Sequence, residues 1–359
     1  MRRRTTTAIA VGLLLLGAVF ALWGCGAASL GENGQAPGPT TENTGSSTMA
    51  SSGPVSSQAP TSSATDSPAE QPPSLSLDKV AYVEISRPSL LVVSAEDRRI
   101  LSPAIDAESI SELLAAYADA AMIATDQPSF EGLEVQLVIH LRSGSAVVLS
   151  GDLDGEQPGV IRGYEGRPEE VPQGEERDFP WLLAEVRAPE LFAAAERTLA
   201  TVASGESPGG GAAEALRAEM PTDFGFVAAF GTYGKMVLDT FAGAFHKDMV
   251  LPQYTTSTAQ LSLTPDELRE AYSRLLALNV LSYPTDFIPS QRGGGVTPNE
   301  EYYLRLRAGG IEKEIRWDDT SISNDPEAVA LRDLFKCLQE LVYGKPEYEA
   351  LPDFRGGYA

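Results

Sequence analysis

The chain has 359 residues, with 50 acidic side chains against 27 basic ones and a formal net charge of −23. Such a field argues against nucleic acid and anionic lipid headgroups as partners, because it repels both. Only Cys25 and Cys337 are available for thiol chemistry, too few for a disulfide framework, while the roughly 280 residues beyond position 76 suffice for one large or two small domains at about 100–200 residues each.

The N-terminus carries Arg2, Arg3 and Arg4, then an apolar run over residues 8–22, then Leu22-Trp23-Gly24-Cys25. A basic start, an apolar middle and a small residue before the cut form an export signal, and the closing tetrapeptide resembles the lipobox of a bacterial lipoprotein precursor. Trp23 stands where that motif usually has a small residue. The resemblance implies that residues 1–24 are removed and that Cys25 carries a diacylglycerol and becomes the first residue, held at the outer face of the cell membrane by its acyl chains. An uncleaved membrane helix is the main rival, but the run is shorter than the roughly 20 residues needed to span a bilayer. A twin-arginine signal fits less well, because Thr5, Thr6 and Thr7 follow the arginines. Removing residues 1–24 takes away three arginines and no acid, so the formal charge falls from −23 to −26.

Residues 25–76 are rich in Ser, Thr, Gly, Pro, Ala and Gln. They have too little to bury to offset the entropy of ordering, and are expected to form a disordered tether spanning on the order of 40 Å.

Residues 80–85 alternate and precede a second apolar run at 90–93, which predicts a hairpin around Arg87-Pro88. Asp106 can cap a helix on which Ile110, Leu113, Leu114 and Tyr117 share one face. Leu133, Val135, Leu137, Ile139 and Leu141 alternate with Glu134, Gln136 and His140, a half-buried strand that turns at Ser143-Gly144 into residues 146–149. An acidic, Gly- and Pro-rich loop at 151–178 leads into helical segments from about 180 to 202, interrupted at Pro189.

The second half repeats the order. Phe224, Phe226, Ala228 and Phe230 lead through Gly231 and Gly234 into residues 236–241, a hairpin. Thr264-Pro265-Asp266-Glu267 opens a helix with a capping-box pattern and proline in the first turn, with Leu268, Ala271, Tyr272, Leu275 and Leu276 as its stripe. Tyr302, Leu304 and Leu306, a turn at Gly309-Gly310 and residues 311–317 form another hairpin. A last helix runs from Asn324-Asp325-Pro326 to about 342, ended by Gly344 and Pro346.

Both halves read strand, strand, helix, strand, strand, helix, without βαβ alternation. The expected fold class is α+β, with two similar domains at 77–203 and 223–359, each an antiparallel sheet with helices on one face, joined by a linker at 204–222 that contains Gly209-Gly210-Gly211. Internal duplication and two independent hairpin-helix units both fit this order. The stretch from Leu261 through Tyr283-Pro284 and Trp317-Asp318 to Leu351-Pro352 and Gly356-Gly357-Tyr358 is similar to surface lipoproteins of Gram-positive bacteria. That resemblance implies no catalytic residue.

Gly205-Glu206-Ser207-Pro208-Gly209 has the spacing of a hydrolase nucleophile elbow. It follows a helical stretch in a glycine-rich linker, where a flexible connection is the preferred reading. Asp152, Asp154 and Glu156 share part of a calcium-loop pattern without its terminal glutamate. Asp318 and Asp319 read as a strand-end acidic pair, and Gly293-Gly294-Gly295 lacks the Lys of a phosphate loop. His140 and His246 cannot build a usual zinc site without carboxylates, and Cys337, among Leu331, Leu334, Phe335, Leu338 and Leu341, reads as a buried thiol. No metal or cofactor is expected.

The densest mix of aromatic and polar side chains outside a clear element is at 240–249. A candidate ligand groove is therefore placed at Thr240, Phe241, His246, Lys247 and Asp248, with Tyr302 and Trp317 nearby; aromatic core is the competing reading. The expectation is a non-enzymatic binding or accessory module of the cell envelope, with a protein partner there. A solute-binding lipoprotein of a transporter and an envelope hydrolase are the alternatives.

Overall fold

The structure is a computed structural model that describes residues 72–88, 93–124, 134–152, 158–163, 182–203, 216–252, 254–290 and 298–358. The expected signal, Cys25 and most of the tether lie outside the described residues. So do Gly205-Glu206-Ser207-Pro208-Gly209, Asp154, Glu156 and Gly293-Gly294-Gly295.

The first half supplies β1 (Val80–Pro88), β2 (Val93–Leu101), α1 (Ala107–Ala118), β3 (Ala121–Ala124), β4 (Val135–Leu141), β5 (Ala146–Gly151), β6 (Gly159–Gly163), β7 (Leu182–Arg187) and α2 (Pro189–Ala203). Its strands form an antiparallel sheet in the order β2-β1-β4-β5-β6-β7-β3. Alternate residues Val83, Ile85, Leu137, Ile139 and Leu149 project to one face, where Ile110, Leu113 and Tyr117 of α1 and Leu191 and Phe192 of α2 cover them.

The second half supplies β8 (Gly225–Phe230), β9 (Met236–Asp239), β10 (Ala244–Asp248), β11 (Thr256–Gln260), α3 (Pro265–Ala277), β12 (Glu301–Ala308), β13 (Ile311–Asp318), α4 (Pro326–Tyr343) and the short α5 (Pro346–Glu349). The sheet order is β11-β10-β9-β8-β12-β13, again antiparallel. Phe226, Phe230, Phe245, Leu304 and Trp317 meet Ala271 and Leu275 of α3 and Leu331, Phe335 and Leu338 of α4. The fold is thus α+β with two antiparallel sheets, each carrying helices on one face.

The opposite faces of the two sheets are packed together, giving four layers: helix, sheet, sheet, helix. Ala81, Tyr82 and Ile100 from the first sheet form one buried cluster with Val227, Ala229, Val237 and Tyr303 from the second. A register shift between Val80 and Tyr82 lets Val80 face the helices while Tyr82 and Glu84 face the other sheet, as a β-bulge allows. The alternation of β4 suggests a solvated polar face, yet His140 is 2% exposed, because the second sheet covers it.

Local signals decide most element ends. Thr264 and Glu267 close a reciprocal capping box on α3, and Asp325 accepts from the Glu327 N–H at the start of α4. Two expectations need correction. Residues 182–187 form β7 rather than helix, and Pro189 starts α2 instead of interrupting one, since a first-turn proline has no N–H to lose. Asp106 stands at the N-cap of α1 without capping it; its carboxylate accepts from the Ser102 N–H at 2.9 Å and from Arg305 at 2.7 Å. The expected order also lacked β3, β6, β10 and β11, which are short or carry polar residues on both faces.

Candidate functional site

The expected groove residues fall on different faces. His246 and Asp248 point into the seam between the sheets, whereas Lys247, one position out of phase, donates to the Pro352 carbonyl at 2.7 Å beneath Tyr348. Tyr302 and Trp317 are cross-strand partners on the helix-facing side, their rings 5.1 Å apart. Thr240 uses its hydroxyl on the backbone of Phe226, and Phe241 lies over Gly225, where an added Cβ would stand 2.5 Å from the ring.

The remaining candidates have structural partners. Asp319 holds Arg332 through two hydrogen bonds at 2.8 and 2.9 Å, and Asp318 accepts from Asn299 at 2.7 Å. The Cys337 thiol is buried, which pushes its pKa up. Among the described residues no group of three or more His, Cys, Asp or Glu could hold a metal ion, and no helix is long and apolar enough to cross a membrane.

The seam between the sheets is unusually polar. Arg98 donates to Glu84 at 3.1 Å and to the Gly234 carbonyl at 2.9 Å, with both side chains nearly fully buried. Gly234, at φ 59°, makes this approach feasible, since a Cβ there would stand 2.4 Å from the guanidinium. Tyr82 stacks on His140 at 4.1 Å between ring centroids and meets the tilted ring of His246 at 4.8 Å. The His246 Nδ1 shares a hydrogen bond with the Thr258 hydroxyl at 2.9 Å.

One end of the seam opens into a cavity of about 270 Å³, lined by Glu84, Arg98, Tyr233, Lys235, Asp248, Val250, Tyr254, Glu301 and Tyr358. Tyr358, near the C-terminus, donates to Asp248 and sets its ring edge-on to Tyr233. Three of the lining residues, Tyr233, Val250 and Tyr254, have φ of 54°, 64° and 64°. This left-handed conformation is costly for side chains with a Cβ, most of all for a β-branched one, and such strain gathers at ligand sites.

Two lining groups stand out by what they lack. Glu301 is 1% exposed, and neither carboxylate oxygen accepts a hydrogen bond from any described residue. Lys235 lies over the Tyr254 ring, 4.9 Å from its centroid, with no carboxylate of a described residue within ion-pair distance. A buried polar group with no partner costs roughly 1–3 kcal/mol, so Glu301 is an acceptor left open.

Electrostatics follow from these partners. Burial works against ionisation of Glu84, but Arg98 overrides it and holds the carboxyl down to about 2. Burial dominates at Glu301, only partly offset by Arg98, and raises it to about 7. Asp248 is also raised, by burial, against the Tyr358 hydrogen bond. His140 and His246 are both held down to about 3, mainly by burial. The cavity therefore carries one fixed ion pair, Glu84 with Arg98, and acidic groups short of positive charge.

No known family, curated protein or solved structure matches the chain. None of Glu84, Arg98, Lys235, Glu301 and Tyr358 was legible as a site residue in the sequence. The available signal was a single charged residue beside apolar and aromatic strand residues, as in Val83-Glu84-Ile85 and Glu301-Tyr302-Tyr303-Leu304.

Proposed function

We propose that the protein is a membrane-anchored extracytoplasmic lipoprotein that binds a small polar molecule in the cavity between its two sheets. The observation that carries the binding reading is Glu301, a nearly inaccessible carboxylate with both oxygens unpartnered, lining a cavity walled by strained backbone. The volume is just below the roughly 300–1,000 Å³ of sites for drug-sized ligands, which suits a small solute. The anchoring part rests on the lipobox-like Leu22-Trp23-Gly24-Cys25 and the tether after it. Binding outside the membrane without chemistry, either as a sensor module or as a solute-binding partner of a transporter, is the role these features support.

The test is a thermal-shift screen of the full chain in detergent against small polar metabolites. A ligand at about a hundred times its Kd stabilises the folded state by about 2.7 kcal/mol, which shifts the melting temperature by several degrees. The same ligand should leave Val250→Phe unmoved, because the ring fills the cavity and removes a β-branch from left-handed backbone. A screen without stabilising molecules, or equal shifts in wild type and Val250→Phe, would contradict the reading.

A further inference from the structure

The cavity's charges fall into two groups, those already satisfied and those not. Glu84 is bound to Arg98, and Arg98 is further fixed by the carbonyls of Gly234, at 2.9 Å, and Tyr233, at 3.4 Å. Asp248 accepts from Tyr358. What remains is one carboxylate, Glu301, whose two oxygens accept from no described residue, and one part-exposed ammonium, Lys235, which lies over the face of Tyr254 and has no ion-pair partner among the described residues, although its charge is felt by Glu84, Asp248 and Glu301. The two lie on different strands or their approaches. Lys235 precedes β9, and Glu301 opens β12. They line the same cavity without pairing with each other.

An occupant that satisfied only one of them would leave the other opposed. A bare amine would suit Glu301 but meet the like charge of Lys235. A simple carboxylate would suit Lys235 but meet Glu301, Asp248 and Glu84. A molecule with both charges close together satisfies both, and the small volume restricts it to few atoms beyond them. We infer that the cavity takes an amino-acid-type zwitterion, its ammonium seated on Glu301 and its carboxylate on Lys235. This rests on the reading of the cavity as a binding site and names the class of molecule bound there. Tyr233, Tyr254 and Tyr358 supply ring faces and edges to the ligand's remaining atoms and to its cation.

The experiment is isothermal titration of the full chain in detergent with free α-amino acids, their N-acetyl derivatives, which lose the positive charge, and their carboxamides, which lose the negative one. The expected result is that at least one amino acid binds and that both of its derivatives bind at least about tenfold more weakly, a difference of about 1.4 kcal/mol. Glu301→Gln should reproduce the loss for the amino acid while leaving the N-acetyl derivative unaffected, and Lys235→Met should do the same with respect to the carboxamide. Should either variant fail to fold, as read by circular dichroism, the comparison among the three ligand forms decides alone. A carboxamide that binds as tightly as its amino acid overturns the zwitterion and leaves a cation site. Absence of amino-acid binding while other metabolites stabilise the chain in the thermal-shift screen overturns the ligand class alone. Absence of binding by every molecule in both experiments overturns the cavity reading as well.

Discussion

Arg305, on the second sheet, donates to Asp106, which precedes the first helix of the other half, at 2.7 Å, with the two side chains 6% and 7% exposed. This pair ties the two halves across the seam. Removing one partner of a buried pair strands the other charge and costs about 3–5 kcal/mol, whereas replacing both by apolar groups is often near neutral. Asp106→Ala should therefore lower the urea midpoint strongly, and Asp106→Leu with Arg305→Met should recover much of the loss. A single variant as stable as the parent would show that the halves do not depend on this contact.

The buried histidines predict acid sensitivity. His140 and His246 are held at about 3 in the folded chain, against about 6.5 when unfolded. Between those values the unfolded chain binds protons that the folded chain does not. Their contribution is therefore complete above about pH 6.5 and is lost as the pH falls toward about 3, at up to about 1.4 kcal/mol per pH unit for each site. Glu301 has the opposite sign: raised to about 7, it favours the folded chain increasingly as the pH falls from there to its unfolded value. The difference between wild type and His246→Gln isolates the histidine. Relative to wild type, the variant should gain stability from about pH 6.5 downward, measured as urea midpoints, and parallel curves would refute the assignment.

Phe192 of α2 rests on two glycines of the first sheet. A Cβ on Gly151 would stand 2.2 Å from the ring, and one on Gly159 2.7 Å. Gly151→Ala should cost about 1–3 kcal/mol through overpacking, and Phe192→Leu in that background should restore part of it. Denaturation of the parent and the two variants checks this; a Gly151→Ala chain of parental stability would mean that the helix shifts freely.

The anchor proposal predicts the fate of Cys25→Ser. The variant should either leave the membrane fraction or accumulate as a precursor that retains residues 1–24. Fractionation with intact-mass measurement reads both, and unchanged retention at mature mass would contradict the proposal.

Much of the fold was legible where a local rule acts. Thr264-Pro265-Asp266-Glu267 announces the start of α3 through side-chain and backbone groups three residues apart, and the structure closes that capping box. The hairpin at Gly309-Gly310 pairs Tyr302 with Trp317, neighbours that their spacing already suggested. The site was not legible, because alternation says that a strand has a polar face and not what covers it. His140 read as solvent-facing by that rule, and a sheet from the other half of the chain covers it; Glu301, which no local pattern singled out, is buried as well. Tyr358 had still less signal: its place beside Asp248 depends on a tail that crosses the end of β10, a contact between residues far apart in sequence.

Native mass spectrometry of the full chain released from detergent, after equilibration with a mixture of free amino acids, tests the central claim most directly. Wild type should carry a single small-molecule adduct per chain, and Glu301→Gln and Val250→Phe should carry none. An adduct retained equally by all three proteins, or absent from wild type, would contradict the assignment of the inter-sheet cavity as the binding site.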